Sequence, residues 1–108
     1  MFNWFGSRGK SLPMSEAMTR VKNDPGIRVV DVRTPQEYRE GHIPGSLNVP
    51  LDRLQDLSTS VPDKTTAVFV YCLSGSRSSM AAGALSRMGY TDVTNIGGIG
   101  AYNGKLER

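Results

Sequence analysis

Residues 72–78, with the sequence CLSGSRS, contain the chain's only cysteine and have the composition of an anion-binding loop. Gly75 and the small serines let the backbone curl, so that several N–H groups can converge on one point. A helix beginning near Arg77 would add its positive dipole end there, and the Arg77 guanidinium adds a permanent cation. Because these groups favour a thiolate over a thiol, they predict a lowered pKa and a nucleophilic sulfur at Cys72.

A buried, unreactive thiol at the end of a strand is the ordinary alternative for a lone cysteine. That alternative does not explain why small, polar and cationic residues follow Cys72. We therefore interpret Cys72 as the catalytic nucleophile. The residues expected to bind substrate around it are Leu73, Ser74, Gly75, Ser76, Arg77 and Ser78.

Four segments predict β-strands, and two of them are apolar along nearly their whole length. Residues 27–32 (IRVVDV) and 67–72 (AVFVYC) lack the alternation of a half-exposed strand, which is typical of a parallel sheet covered on both faces. Shorter candidates are residues 46–49 and 93–96. Cys72 would then end the central strand, at the edge of the sheet where ligands bind in such folds.

The segment TPQEYREG, which follows the first strand, has the sequence of a helix with a well-defined start. Thr34 is the predicted N-cap, Pro35 takes the first helical position, and Glu37 completes a capping box. Gly41 is expected to end this helix.

Further helical patterns alternate with the strands. Ser15 is the expected N-cap of an early helix, residues 51–57 place leucines at near-helical spacing, and residues 78–88 form an amphipathic pattern ended by a glycine. The alternation predicts an α/β fold. We expect a mostly parallel central sheet of about five strands flanked by helices on both faces.

Length and composition predict one domain, residues 11–108, preceded by an N-terminal leader, residues 1–10. The leader is aromatic-rich but lacks the basic and apolar regions of a signal peptide. A net charge of +3 without a basic cluster argues against nucleic-acid binding, and no apolar run approaches the roughly 20 residues of a membrane span. One cysteine and one histidine predict no disulfide, metal or cofactor site, and the free thiol favours a cytoplasmic protein.

Three blocks occur in order along the chain: VVDVRTPQEYREGHIPGSLNVPL, the loop CLSGSRS, and GGIGAY. At this spacing they resemble the rhodanese-like domain family in its short single-domain form, over residues 12–102. Tyr102 stands where that family more usually has tryptophan. The resemblance implies a rhodanese-like fold.

The resemblance also implies sulfur transfer. Cys72 would attack a small anionic sulfane donor such as thiosulfate and become a persulfide. The outer sulfur of the persulfide would then be transferred to a thiol or cyanide acceptor. Thioredoxin or another protein could be the acceptor. Arg77 would help to bind the donor, and the loop serines would supply hydroxyls and amides. The alternative is a persulfide carrier that a protein partner, such as a cysteine desulfurase, loads with sulfur.

A related fold supports phosphatases and arsenate reductases, which have five residues between cysteine and arginine. Here four residues separate Cys72 from Arg77, and Tyr71 stands where those phosphatases have a histidine. Both differences favour sulfur over phosphate or arsenate, which leaves phosphate chemistry as the remote alternative.

Three polar residues outside the loop, Asp31, Arg33 and His42, are candidates for the rim of the site. Scaffold roles are the simpler expectation. His42 would hold its turn by a hydrogen bond, with Asp31 as a candidate partner, and Asp31 and Arg33 would pair with each other or with Glu37. The capping box accounts for Glu37, and a tight turn accounts for the glycines of residues 97–100.

Overall fold

A four-stranded parallel sheet forms the centre of the computed structural model, which describes residues 10–108. The strands are β1 (Arg28–Asp31), β2 (Leu47–Asn48), β3 (Val68–Cys72) and β4 (Val93–Gly98), in the spatial order β2-β1-β3-β4. Every residue of β3 is buried, as its continuous apolar sequence predicts. The predicted parallel α/β fold is therefore confirmed.

The sheet has four strands where about five are expected. Ser11 makes one parallel bridge to Asn95 at the outer edge of β4. It goes no further as a strand because helix α1 begins at Met14, directly after Pro13. The predicted leader lies outside the described residues except for Lys10. The Lys10 carbonyl accepts a hydrogen bond from the Asn95 N–H.

Helices occupy both faces of the sheet, as predicted. They are α1 (Met14–Asn23), α2 (Pro35–Glu40), α3 (Leu57–Ser60) and α4 (Ser76–Arg87), with short 3₁₀ helices at Leu51–Asp56 and Ile99–Ala101. On one face, Val30 and Val70 pack with Leu85 of α4 and Leu57. On the other face, residues of β1 and β3 pack against α1. None of the helices in residues 10–108 is long and apolar enough to cross a membrane.

Three helix starts and bounds differ from the sequence predictions. Ser15 is not the cap of α1, because Pro13 occupies the N-cap position and its carbonyl accepts from the Ala17 N–H. Residues 51–57 do not form one regular α-helix: Leu51–Asp56 is a 3₁₀ helix with non-helical backbone at Arg53, and Leu57 begins α3. Helix α4 starts at Ser76, two residues earlier than expected, because Gly75 already has the φ of +101° that turns the chain.

Candidate active site

The loop that follows β3 places Cys72 at the carboxyl edge of the sheet. Cys72 is the last residue of β3, and only residues 73–75 separate it from the first residue of α4. Gly75 is the N-cap of α4 in the left-handed region, a conformation that glycine adopts without strain. The short loop therefore folds back and brings the start of the helix against the sulfur.

Backbone amides surround the Cys72 sulfur. The Gly75 N–H donates to Sγ at 3.0 Å, the Ser78 N–H donates at 3.4 Å, and the Ser78 Oγ lies 3.5 Å from Sγ. Ser78 is the third residue of α4, and its amide is one that an N-cap side chain normally satisfies. Gly75 has no side chain to do this, so the cysteine sulfur serves as the helix cap.

The cysteine is both buried and activated. Its exposed fraction is 0%. Burial alone raises the pKa of Cys72, but hydrogen bonds from the Ser78 hydroxyl and from the backbone N–H groups of Ser78, Gly75 and Ser74 outweigh it, and the pKa lies below its ordinary value. The thiol is thus buried, as the alternative interpretation requires, but its hydrogen bonds favour the thiolate more than in an ordinary cysteine.

The lowered pKa predicts early alkylation by iodoacetamide. We expect the midpoint of the rate against pH to fall below about 8.5, the value of an ordinary thiol, because only the thiolate reacts. Restricted access of the reagent to the sulfur lowers the rate by the same factor at every pH, so it does not move that midpoint. The chain unfolded in urea supplies the matched control, since its single cysteine is the same residue. A folded midpoint equal to or above the unfolded one would contradict the prediction.

A polar network on β4 holds the loop in place. The buried Ser78 hydroxyl lies 2.7 Å from the Asn95 Oδ1 and 3.5 Å from Sγ, and it can donate its one proton to only one of them at a time. The Asn95 Oδ1 also accepts from the Gly97 N–H at 2.9 Å. The Asn95 amide nitrogen donates to the Gly75 carbonyl at 3.3 Å. Asn95 was not among the residues singled out from the sequence. Asparagine inside a strand is unusual, which is the signal that could have found it.

Gly98, at the end of β4, lies directly under the loop. A Cβ at this position would overlap the Leu73 carbonyl oxygen and lie 2.9 Å from the Ser74 Cα. From the sequence alone, a tight turn is the expected reason for this glycine. The structure gives a second reason, the close approach of two backbones. Leu73 and Ser74 themselves are exposed above it, and Leu73 is 56% exposed.

Arg77 is held by an acidic residue of α2. Its two terminal nitrogens donate to the two carboxylate oxygens of Glu37, at 2.8 and 3.0 Å. Glu37 also completes the predicted capping box with Thr34, which is confirmed. The Arg77 hydrogen bonds are the largest cause that lowers the pKa of Glu37 to about 2, so this carboxylate is ionised at all ordinary pH values.

A cleft of about 230 Å³ opens beside the loop, with Arg77 as one wall. Its other lining residues are Val32, Thr34, Pro50, Leu51 and Asp52. A larger cavity, of about 500 Å³, lies at the opposite end of the sheet, where Ile27, Ala67 and Asp92 precede their strands. Because ligands of open parallel sheets bind at the carboxyl ends of the strands, the smaller cleft is the better candidate for the substrate.

Asp31 and Arg33 form a buried ion pair, one of the two pairings that the sequence suggested. The Arg33 nitrogens donate to the Asp31 carboxylate at 2.7 to 3.1 Å and to the Gly41 carbonyl at 2.7 Å. Burial lowers the pKa of Arg33, but its hydrogen bonds to Asp31 together with the charge of that carboxylate outweigh burial and raise the pKa above its ordinary value. With its exposed fraction at 5%, Arg33 holds the turn after α2.

His42 also has partners of its own, and the suggested hydrogen bond to Asp31 is wrong. The His42 ring stacks on Tyr38 at 3.7 Å, and its Nδ1 lies 2.8 Å from the Tyr38 carbonyl oxygen. Its backbone pairs with Glu107 near the C-terminus. Asp31 cannot serve because Arg33 already occupies its carboxylate. These contacts hold the turn rather than face the sulfur.

A model of the rhodanese-like domain matches residues 14–105. The chain belongs to the rhodanese-like domain family. The matched region begins at the first residue of α1 and includes the whole sheet, the Cys72 loop and the cleft. The resemblance inferred from the three sequence blocks is thereby confirmed.

Several members of the family with sulfur-related names are similar to this rhodanese-like chain. The thiosulfate sulfurtransferase PspE of Escherichia coli is 45% identical over 65% of this chain and 68% of its own. The thiosulfate:glutathione sulfurtransferase of Saccharomyces cerevisiae is 34% identical over 84% and 81%. The putative sulfur carrier protein YrkF of Bacillus subtilis is 32% identical over 82% of this chain, which spans about half of that protein, 48%.

Solved rhodanese structures share the fold. The solution structure of a rhodanese-like domain from Anabaena superposes with a TM-score of 0.83 at 26% identity, covering 92% of this chain and 79% of that one. A rhodanese with anions from E. coli superposes with a TM-score of 0.68 at 37% identity, covering 76% of this chain and 98% of its own.

Proposed function

We propose that this protein is a sulfurtransferase that carries a sulfane sulfur as a persulfide on Cys72. The observation that supports this most directly is the set of amide donors around the sulfur, 3.0 Å from Gly75 and 3.4 Å from Ser78. The same donors can stabilise both the attacking thiolate and the persulfide anion that is the intermediate before transfer. The relatives named as thiosulfate sulfurtransferases support thiosulfate as a donor.

The proposed reaction has two displacements. The Cys72 thiolate attacks the outer sulfur of thiosulfate, a new S–S bond forms, and the old S–S bond breaks with its electron pair leaving on sulfite. A thiolate or cyanide then attacks the outer sulfur of the persulfide. The product is a new persulfide or thiocyanate, and the Cys72 thiolate is regenerated. Each step exchanges one anion for another, so the loop need not supply a proton.

The proposed donor is a small anion, and the proposed acceptor is cyanide, a small thiol, thioredoxin or another protein. We place this chemistry in the cytoplasm, where a free thiol stays reduced. No cofactor enters either step, because the thiolate supplies the nucleophile and the donor supplies the sulfur.

Mass spectrometry of the intact protein tests the proposal. After incubation with thiosulfate, we expect the chain to gain the mass of one sulfur atom, and addition of cyanide should remove it and yield thiocyanate. The gain should map to Cys72 and should be absent when the thiol is first alkylated. If neither the added sulfur nor thiocyanate forms, the protein is not a thiosulfate enzyme.

The carrier alternative has an observation of its own, the complete burial of Cys72. A partner that opens the loop would reach the sulfur more readily than a free anion, and one relative has the name of a putative sulfur carrier. Such a carrier would take sulfur from a partner such as a cysteine desulfurase while turning over thiosulfate poorly. Comparing the loading rates from the two donors distinguishes the alternatives.

A further inference from the structure

The carboxylate of Glu37 has two roles in this structure. Its Oε1 accepts from the Thr34 N–H at 2.9 Å, as a capping box requires, and the same oxygen accepts from Arg77 at 2.8 Å. Its Oε2 accepts from the other terminal nitrogen of Arg77 at 3.0 Å. Because the capping box fixes the Glu37 side chain, it also fixes the guanidinium of Arg77. From the sequence, Arg77 was expected to help bind an anionic donor.

The charged side chains beside the catalytic loop therefore carry a net negative charge. Arg77 is the cationic side chain among the described residues that line the cleft, and Asp52 lines it as an acid. Glu37 adds a second ionised carboxylate in direct contact with the arginine. One positive and two negative side chains thus lie in or beside this cleft, and the positive one, Arg77, is in the first turn of α4, whose Ser78 N–H donates to the Cys72 sulfur.

We propose that Glu37 is a specificity-determining residue that neutralises Arg77 and so lowers the reactivity of Cys72 toward small anions. Neutral electrophiles are indifferent to this charge, and donors such as thiosulfate are disfavoured in proportion to their own charge. The relevance to sulfur donors rests on the proposed function. The charge effect itself rests on Glu37, Arg77 and the thiolate.

Glu37→Gln is a well-matched substitution for the test. Glutamine can still accept the hydrogen bond from the Thr34 N–H, since the capping box uses either Glu or Gln. It removes the negative charge at nearly the same volume, so the positive charge of Arg77 is no longer neutralised. Glu40→Gln is the control, because it makes the same change of charge at an exposed position of the same helix, where Glu40 contacts Gln36.

The experiment compares alkylation of Cys72 by iodoacetate, an anion, and by iodoacetamide, its neutral analogue. In both reactions the thiolate forms a C–S bond and iodide leaves. The ratio of the two rates cancels the thiolate fraction and the opening of the loop. We expect Glu37→Gln to raise the iodoacetate to iodoacetamide ratio about three- to tenfold, as removal of one nearby unit charge predicts, and Glu40→Gln to change it less than about twofold. An unchanged or lowered ratio in Glu37→Gln would overturn the proposal.

Salt dependence of the unaltered protein provides a measurement that needs no variant. If the field at the sulfur is negative, added salt screens a repulsion, and the ratio should rise with ionic strength. A ratio that falls with salt would mean that Arg77 acts as a free cation, contrary to the proposal. Since alkylation needs no sulfur donor, absence of thiosulfate turnover would refute the proposed function and leave this result standing.

Discussion

Replacing Cys72 by serine is expected to abolish persulfide formation and to lower sulfur transfer about a thousandfold or more, because the nucleophile itself is removed. The fold should survive. A serine oxygen can accept the N–H groups of Gly75 and Ser78 that the sulfur accepts now. The measurements are thiocyanate production and the far-UV circular dichroism spectrum. Residual transfer above background in a folded Cys72→Ser protein would show that another group carries the sulfur.

The pH dependence of unfolding gives this variant a second readout. The pKa of Cys72 is lowered by folding, so between the folded pKa and the ordinary value of about 8.5 the unfolded chain binds a proton that the folded chain does not. Stability therefore rises with pH through this window and is lost as pH falls through the folded pKa. The stability of the unaltered protein relative to Cys72→Ser should increase across the same window. A constant difference would mean that folding does not lower the pKa of Cys72.

Gly98→Ala is expected to disable the site from the opposite side of the loop. The added methyl would overlap the Leu73 carbonyl and lie 2.9 Å from the Ser74 Cα, and both are backbone atoms that cannot rotate away. We expect a loss of about 1–3 kcal/mol in the free energy of unfolding, as for an overpacked core. The displaced loop would move its amides away from Sγ, so the pKa of Cys72 should return toward its ordinary value.

Gly100→Ala is the matched control for this loss. It makes the same substitution two residues further along, where a Cβ would have no neighbour within 4 Å. Urea unfolding measures the stability of both variants, and the pH profile of alkylation measures the loop. Equal behaviour of Gly98→Ala and Gly100→Ala would show that the close backbone approach has no role at the site.

The parts of the molecule that local sequence determines were predictable. The continuous apolar runs that form β1 and β3 indicated a parallel sheet covered on both faces, because both the even and the odd positions of such a strand are buried and therefore apolar. The capping box of Thr34 and Glu37 was equally readable, since both residues lie within one turn of helix. The loop composition indicated the nucleophile for the same reason.

The partners of those residues could not be predicted, because they meet only after folding. Glu37 and Arg77 are 40 positions apart, and their contact depends on how α2 and α4 pack on the sheet. The explanation of Glu37 as a helix cap was correct and incomplete. Asn95 and Gly98 contact the loop from a neighbouring strand. His42 contacts Tyr38 and Glu107, because the Asp31 carboxylate already accepts from Arg33.

The use of a cysteine sulfur as the cap of α4 couples chemistry to helix order. The Ser78 N–H donates to the Cys72 Sγ, the atom that would receive and release the transferred sulfur. Each covalent state of Sγ therefore presents the helix with a different acceptor. The two effects are thermodynamically linked. Ordering of the first turn of α4 stabilises the thiolate, and deprotonation of Cys72 stabilises that turn by the same free energy. The amide proton of Ser78 is therefore a natural spectroscopic reporter of whether the protein is loaded.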